Sequence, residues 1–98
     1  MIGVWDPEGV EKRAIHQLVD FEGKRVFEIG CGEGRITWYY ANEAAHALAI
    51  DLDGPALTIA RDQTPPELKS KVDFRIADLL DIDLGNEVYD VGIFAWSM

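Results

Sequence analysis

The segment Glu28-Ile29-Gly30-Cys31-Gly32-Glu33-Gly34 constrains this chain more than any other. It follows the strand-like run Arg25-Val26-Phe27-Glu28-Ile29 and precedes residues 36–45, which read as a helix. A chain that turns from strand to helix in so few residues needs backbone conformations that glycine adopts with least strain. The missing Cβ atoms also let a ligand come close to the backbone. The free N–H groups at the start of the following helix then face it with partial positive charge. The spacing narrows the ligand. A dinucleotide fingerprint, G-x-G-x-x-G, would place its third glycine at position 35; that residue is Arg35, and the third glycine comes one place early, at Gly34. Nor does a lysine–threonine or lysine–serine pair follow, as a P-loop requires.

The remainder of the chain sets this loop in an alternating pattern. A first helix is expected to open near Asp6-Pro7-Glu8, with Asp6 as its cap and Pro7 in its first turn. Val10, Ala14, Ile15, Leu18 and Val19 then form one apolar stripe, and Glu22-Gly23 ends the helix. His46-Ala47-Leu48-Ala49-Ile50 reads as a second strand. Asp53-Gly54-Pro55 opens a third helix with Ala56, Leu57, Ile59 and Ala60 facing inward, and Thr64-Pro65-Pro66 breaks it. Val72-Asp73-Phe74-Arg75-Ile76 is a third strand, Leu84-Gly85-Asn86 a loop, and 88–96 a fourth strand, apolar nearly throughout from Val91 onward. Strands alternating with helices predict parallel pairing and right-handed crossovers. The fold class expected is α/β, a Rossmann-like doubly wound parallel sheet in strand order 3-2-1-4, stopping after the fourth strand. The expected domain organisation is a single partial domain over 1–98, with an N-terminal helix segment at 1–23 and a core at 24–98. In that order the fourth strand is an open, apolar edge, which invites pairing with a second copy of the chain.

Composition trims the functions open to such a fold. Acids outnumber bases 18 to 9, a formal charge of −9, and such a surface repels phosphate backbones, so nucleic acid is not an expected partner. The single cysteine, Cys31, excludes an internal disulfide and a multi-cysteine zinc site. The opening MIGVWDPEGVEKR has no cationic lead followed by an apolar run, and no apolar stretch nears the ~20 residues of a membrane span. The expectation is a soluble, cytoplasmic chain that makes no use of a membrane.

Two more acids fix the ligand class. Asp51 ends the second strand, about 20 residues beyond the first glycine, where a carboxylate can accept hydrogen bonds from both ribose hydroxyls. Asp78 lies two residues past the third strand and could accept from an adenine amino group, while the Leu79 N–H could donate to a ring nitrogen. Loop and acids together argue for an adenosyl ligand at the carboxyl ends of the strands. Several other residues read as structural. Cys31 is a small loop filler rather than a nucleophile. Trp38, Tyr39 and Tyr40 are helix packing, Trp5 is packing, and His16 and His46 are structural or solvent-facing. The acidic run Asp81, Asp83, Glu87 and Asp90 is a solvated loop rather than a metal site.

VFEIGCGEG, AIDLD, FRIADLLDIDL and YDVGIFAWSM, taken in order, resemble the successive cofactor motifs of the class I S-adenosylmethionine-dependent methyltransferases. The likeness runs from about residue 25 to 98. It implies S-adenosylmethionine as cofactor, S-adenosylhomocysteine as product, and a small-molecule methyl acceptor that the residues do not name. By this resemblance Glu28 holds the methionine amino group. Gly30, Cys31, Gly32 and Gly34 form the loop beneath methionine and ribose, and Asp51 binds the ribose. Leu52 lies on an adenine face, Asp78 and Leu79 read the adenine edge, and Phe94 and Ala95 end the fourth strand beside the methionine. No catalytic residue or metal ligand is assigned. Transfer by this family rests on holding donor and acceptor in line. The family's sheet continues past the fourth strand, so the chain is expected to bind cofactor and to be inactive alone. Two readings compete: a non-catalytic domain that self-associates through 91–96, and a nicotinamide-dependent oxidoreductase, which the early third glycine disfavours.

Overall fold

The computed structural model describes residues 2–4, 10–85 and 87–95. In chain order the elements are β1 (Ile2–Val4), α1 (Val10–Leu18), β2 (Arg25–Ile29), α2 (Thr37–Tyr40), β3 (His46–Asp51), α3 (Gly54–Gln63), a 3₁₀ turn (Pro66–Leu68), β4 (Val72–Ile76) and β5 (Val91–Ala95). They build one sheet in the order β1-β5-β2-β3-β4, with every neighbouring pair parallel. The expected order 3-2-1-4 is present as β4-β3-β2-β5, an α/β sheet.

One expectation about its edge is overturned. The fourth predicted strand is β5, and it is not an edge. Ile2–Val4 pairs alongside it, with Ile2 opposite Ile93, Gly3 opposite Phe94 and Val4 opposite Ala95. The backbone groups on which pairing with a second copy depended are therefore taken within the chain. Three residues are too few to show a period of two, so this strand left no pattern to read. The cap expected at Asp6-Pro7-Glu8 and the residues Trp5 and Trp96 lie outside the described residues.

Other boundaries differ for local reasons. The second helix, expected over 36–45, is regular only over Thr37–Tyr40. Glu43 N–H turns back to Tyr40 O at 3.0 Å, and Ala45 N–H leaves to bond Lys24 O at 2.8 Å, so the chain peels into β3. The last strand starts at Val91 rather than 88. The Val88 carbonyl accepts from the Arg25 side chain (Nε, 3.0 Å) instead of joining the ladder. Two residues expected to face inward do not: Leu18 is 70% exposed and Ile59 39%. On α1 it is Ile15, with Val19 just past the helix end, that meets the core, and on α3 Leu57 and Ala60, each pair at helical spacing.

Strand alternation sorts side chains to two faces. Val26, Ala47 and Ile93 pack with Ile15 of α1 and Tyr40 of α2, and Ala49 and Phe74 with Leu57 and Ala60 of α3. Phe27, Ile29, Leu48 and Ile50 point the other way and are covered by Ala77, Ile82, Leu84 and Tyr89 from the segment 77–90. Among the described residues no helix is long and apolar enough to cross a membrane.

Candidate cofactor site

The carboxyl ends of β2 and β3 are joined first by backbone. Gly30 and Cys31 both donate N–H to the Ile50 carbonyl, at 2.8 and 3.1 Å, so the glycine loop begins anchored to β3. Gly30 and Gly34 then take φ of 80° and 92°, the left-handed region that a side chain rarely tolerates. At Gly34 space is limiting as well: a Cβ would lie 3.0 Å from the Trp38 indole.

Asp51 is the second tie. One carboxylate oxygen accepts from Gly32 N–H (Oδ2, 2.7 Å) and the other from Asp53 N–H (Oδ1, 2.9 Å). Asp53 caps α3 by accepting from Ala56 N–H at 3.1 Å. A carboxylate has about four acceptor positions, so these two bonds leave Asp51 able to take two more. Its side chain stays half-buried at the mouth of a cavity of about 260 Å³.

That cavity brings together Gly30, Asp51, Leu52, Asp78, Leu79 and Phe94, six of the residues singled out in the sequence. Ile29, Ile50 and Ala77 complete its walls and were not foreseen. Their signal was available, since each neighbours a named residue at a strand end. Leu52, Leu79 and Phe94 are 68%, 41% and 39% exposed, an apolar rim open to a flat ligand. Asp78 also serves its own turn: Oδ1 accepts from Leu80 N–H (3.0 Å), and its carbonyl from Asp81 and Ile82 N–H.

Four other named residues do not line this cavity: Glu28, Cys31, Gly32 and Gly34. Ala95 is the last residue of β5. Cys31 is buried, and burial pushes its thiol well above the ordinary range, which keeps it protonated and unreactive. Glu28 is wholly buried on the helix side of β2. Its Oε1 accepts from Thr37 Oγ1 and Tyr40 OH, both at 2.7 Å, and its Oε2 has no hydrogen-bond partner among the described residues. Burial lifts the carboxyl to about 7 against the pull of those two hydroxyls and of Arg35. Tyr40, sealed beside it, is held far above its usual range by the same burial and remains a neutral donor. Tyr40, expected as helix packing, is thus also a donor to Glu28, and Thr37 joins it without a sequence signal beyond a pair of hydroxyls three residues apart.

Of the acidic run, Asp83 Oδ1 accepts from Gly85 N–H, Asp90 Oδ2 from Arg25 N–H, and Glu87 pairs with Arg25 and Tyr89. His16 Nε2 lies 2.7 Å from Glu43 Oε2, joining α1 to the turn after α2.

Known proteins resemble this chain in sequence and in fold. The family described as "Methyltransferase domain" matches residues 26–98. A magnesium-protoporphyrin O-methyltransferase of Rhodobacter capsulatus is 39% identical over 74 residues, covering 76% of this chain and 33% of that protein. A ubiquinone biosynthesis O-methyltransferase of Xylella fastidiosa is 34% identical over 91 residues, covering 82% and 36%. The crystal structure of an S-adenosylmethionine-dependent methyltransferase from Mesorhizobium loti superposes with a TM-score of 0.69 at 25% identity, over 84% of this chain and 37% of that one. The chain spans about a third of the length of the curated relatives it matches. Since the family match takes in the glycine loop, both strand-end acids and β5, the chain belongs to the S-adenosylmethionine-dependent methyltransferase family.

Proposed function

We propose that this chain is the S-adenosylmethionine-binding portion of a class I methyltransferase that acts on a small-molecule acceptor, and that on its own it binds the cofactor without turning an acceptor over. One observation carries the reading: the cavity at the carboxyl ends of β2 and β3 places the half-buried Asp51 carboxylate beside an apolar slot, directly against the glycine loop. The residues fit the cofactor's parts. Leu52 and Leu79 offer apolar walls to a purine, Phe94 closes the cavity at the end of β5, and Asp51 has acceptor capacity left for two ribose hydroxyls. Glu28 Oε2 is a buried acceptor in want of a donor, which an ammonium group supplies.

When bound, S-adenosylmethionine supplies a methyl group made electrophilic by its sulfonium. The residues of this chain bind and orient. Asp51 would hold the ribose through its remaining acceptor positions, the backbone of Gly30 to Gly34 would allow close approach, and the rim of Leu79 and Phe94 would shield one side of the ligand. Such positioning is the main contribution an enzyme makes to a transfer between two held groups. The acceptor is proposed as a small molecule because the net charge of −9 opposes a polyanion. The O-methyltransferase names of the two relatives agree with that class.

Titration with S-adenosylhomocysteine, followed by two-dimensional amide NMR, tests the reading. Resonances of Gly30 to Gly34, Asp51 and Leu79 are expected to move together and saturate. A dispersed spectrum that stays still at millimolar ligand overturns it. Methyl transfer to small phenols or to an RNA oligonucleotide by this chain would contradict the second half of the proposal.

A further inference from the structure

Glu28 is the only carboxylate buried among the described residues, and nothing in the packing calls for one. Its register neighbours on β3 and β5 are Ala49 and Ile93, both apolar and buried. A chain under pressure for stability alone would place an apolar side chain there, because a buried acid that lacks a full set of partners is costly. Two donors are present, yet both reach the same oxygen. Thr37 Oγ1 and Tyr40 OH stand one turn apart on α2 and converge on Oε1 at 2.7 Å each, while Oε2 is buried with no partner among the described residues. With Oε1 doubly held, the carboxylate cannot rotate without breaking two bonds. The helix that supplies both donors is the one into which the glycine loop runs.

We propose that Thr37 and Tyr40 are positioning residues: by pinning Oε1 of Glu28 they keep Oε2 as the acceptor for the ammonium group at the cofactor's amino-acid end, met directly or through one water. This rests on the cofactor reading above and assigns two residues to that site that neither the cavity nor the sequence motifs include.

The groups that act on Glu28 come from several elements. They are Thr37 and Tyr40 on α2, Arg35 in the turn before it and Asp51 at the end of β3, and Glu28 in turn acts on Cys31 in the loop. Burial and Asp51 oppose its charge; the two hydroxyls and Arg35 favour it. With the free carboxyl at about 7, its charge near neutral pH depends on those hydroxyls. Removing one therefore has a consequence that loss of packing alone does not have.

The test compares two ligands, S-adenosylhomocysteine and 5′-methylthioadenosine, which keeps the nucleoside and sulfur and lacks the amino-acid end. Dissociation constants are measured between about pH 5.5 and about pH 8.5, on either side of the carboxyl's range. For the unmodified chain, affinity for S-adenosylhomocysteine is expected to fall as pH drops through neutrality, while that for methylthioadenosine stays level. Tyr40→Phe is expected to move the midpoint upward by about one pH unit and to cut the preference for S-adenosylhomocysteine at neutral pH about fivefold. Thr37→Val should act in the same direction, Thr37→Ser should restore the preference, and Glu28→Gln should flatten the profile. Amide spectra of each variant establish the fold, and if Tyr40→Phe does not fold, the Thr37 pair decides. If the ligand preference and midpoint are unchanged in Thr37→Val and Tyr40→Phe, or if both ligands weaken equally, the positioning role is overturned and the cofactor reading stands. If the folded unmodified chain binds neither ligand, the cofactor reading fails and this proposal with it.

Discussion

The face of the sheet that carries Val26, Glu28, Ala49 and Ile93 packs against α1, α2 and α3, whereas the face that carries Phe27, Ile29, Leu48 and Ile50 is covered by the single segment 77–90. Each face has an aromatic pair. On the helix side Phe21 and Tyr40 stack with centroids 5.0 Å apart, and both are buried. On the other, Tyr89 tilts against Phe27 at 5.5 Å with Arg25 over its ring, and it remains half-buried. The difference bears on function. A buried acid has to be held by a rigid frame, and the helix side provides one. A cleft that admits a ligand needs a wall able to give way, and a segment fastened by polar contacts at its end is such a wall.

Truncating the two tyrosines is the strongest way to break this comparison. Tyr40→Ala removes a wholly buried ring and one of the two donors to Glu28, for an expected loss of about 3–5 kcal/mol. That approaches the whole stability of a domain this size, so the amide spectrum is expected to collapse. Tyr89→Ala removes a half-buried ring, with an expected loss of about 1–2 kcal/mol by urea unfolding. Equal losses would mean that the segment 77–90 is as integral to the fold as the helices are.

The pH dependence of stability separates the faces on electrostatic grounds. Glu28 titrates near 7 in the fold against an ordinary 4.5, so the folded chain favours its protonated form. Between those values the unfolded chain binds fewer protons than the folded one, and stability falls as pH rises. The contribution is fully present below about 4.5 and lost above about 7, roughly 3 kcal/mol in all. Glu28→Gln keeps the amide's capacity for hydrogen bonds and does not titrate. Its stability relative to the unmodified chain is therefore expected to improve steadily from pH 4.5 to 7, as read from urea midpoints in that window. A constant difference would show that Glu28 titrates alike in both states.

How much of this was legible follows the same division. Alternating strands and helices were written in apolar periodicity, so β2, β3, β4 and the order β4-β3-β2-β5 could be read from the chain. The glycine spacing and Asp51 marked the loop and its tie, because both depend on local backbone demands. Ile2–Val4 was not legible, since three residues gain their meaning only from β5 beside them. Thr37 and Tyr40 were missed for a related reason: a hydroxyl on a helix looks the same in sequence whether it meets water or a buried acid 9 or 12 residues earlier. Leu18 and Ile59 are expected inward from the apolar pattern of their helices, and a shift of one helical position turns each outward.

Two glycines sharpen the comparison at smaller magnitude. Gly34, on the path to α2, and Gly85, in the covering segment, both have positive φ, 92° and 60°. A methyl at Gly34 meets the Trp38 indole at 3.0 Å, while one at Gly85 meets nothing within 4 Å. Gly85→Ala is expected to cost about 1 kcal/mol from backbone strain alone, and Gly34→Ala about 2 kcal/mol or more, because the indole must also move. Thermal unfolding of the pair measures the difference. Similar costs would indicate that Trp38 shifts freely and that the loop is less confined than its packing against α2 implies.

The smallest effect is expected where the covering segment is tied down. Asp90 Oδ2 accepts from Arg25 N–H at 2.9 Å, and its own N–H donates to Arg25 O at 2.8 Å. Asp90→Ala deletes the first bond and keeps the second, so about 1 kcal/mol is at stake, near the surface. The value lies in where that loss falls. If the segment 77–90 opens as its own unit, amide exchange should quicken for Ala77, Leu79, Ile82 and Tyr89, while Val26, Tyr40 and Ile93 keep their protection. The same opening loosens the Asp78–Leu79 wall of the cavity, so S-adenosylhomocysteine should bind with a faster off-rate in the variant. If protection instead falls equally on both faces, the sheet and its cover unfold together, and the cleft opens only when the whole chain does.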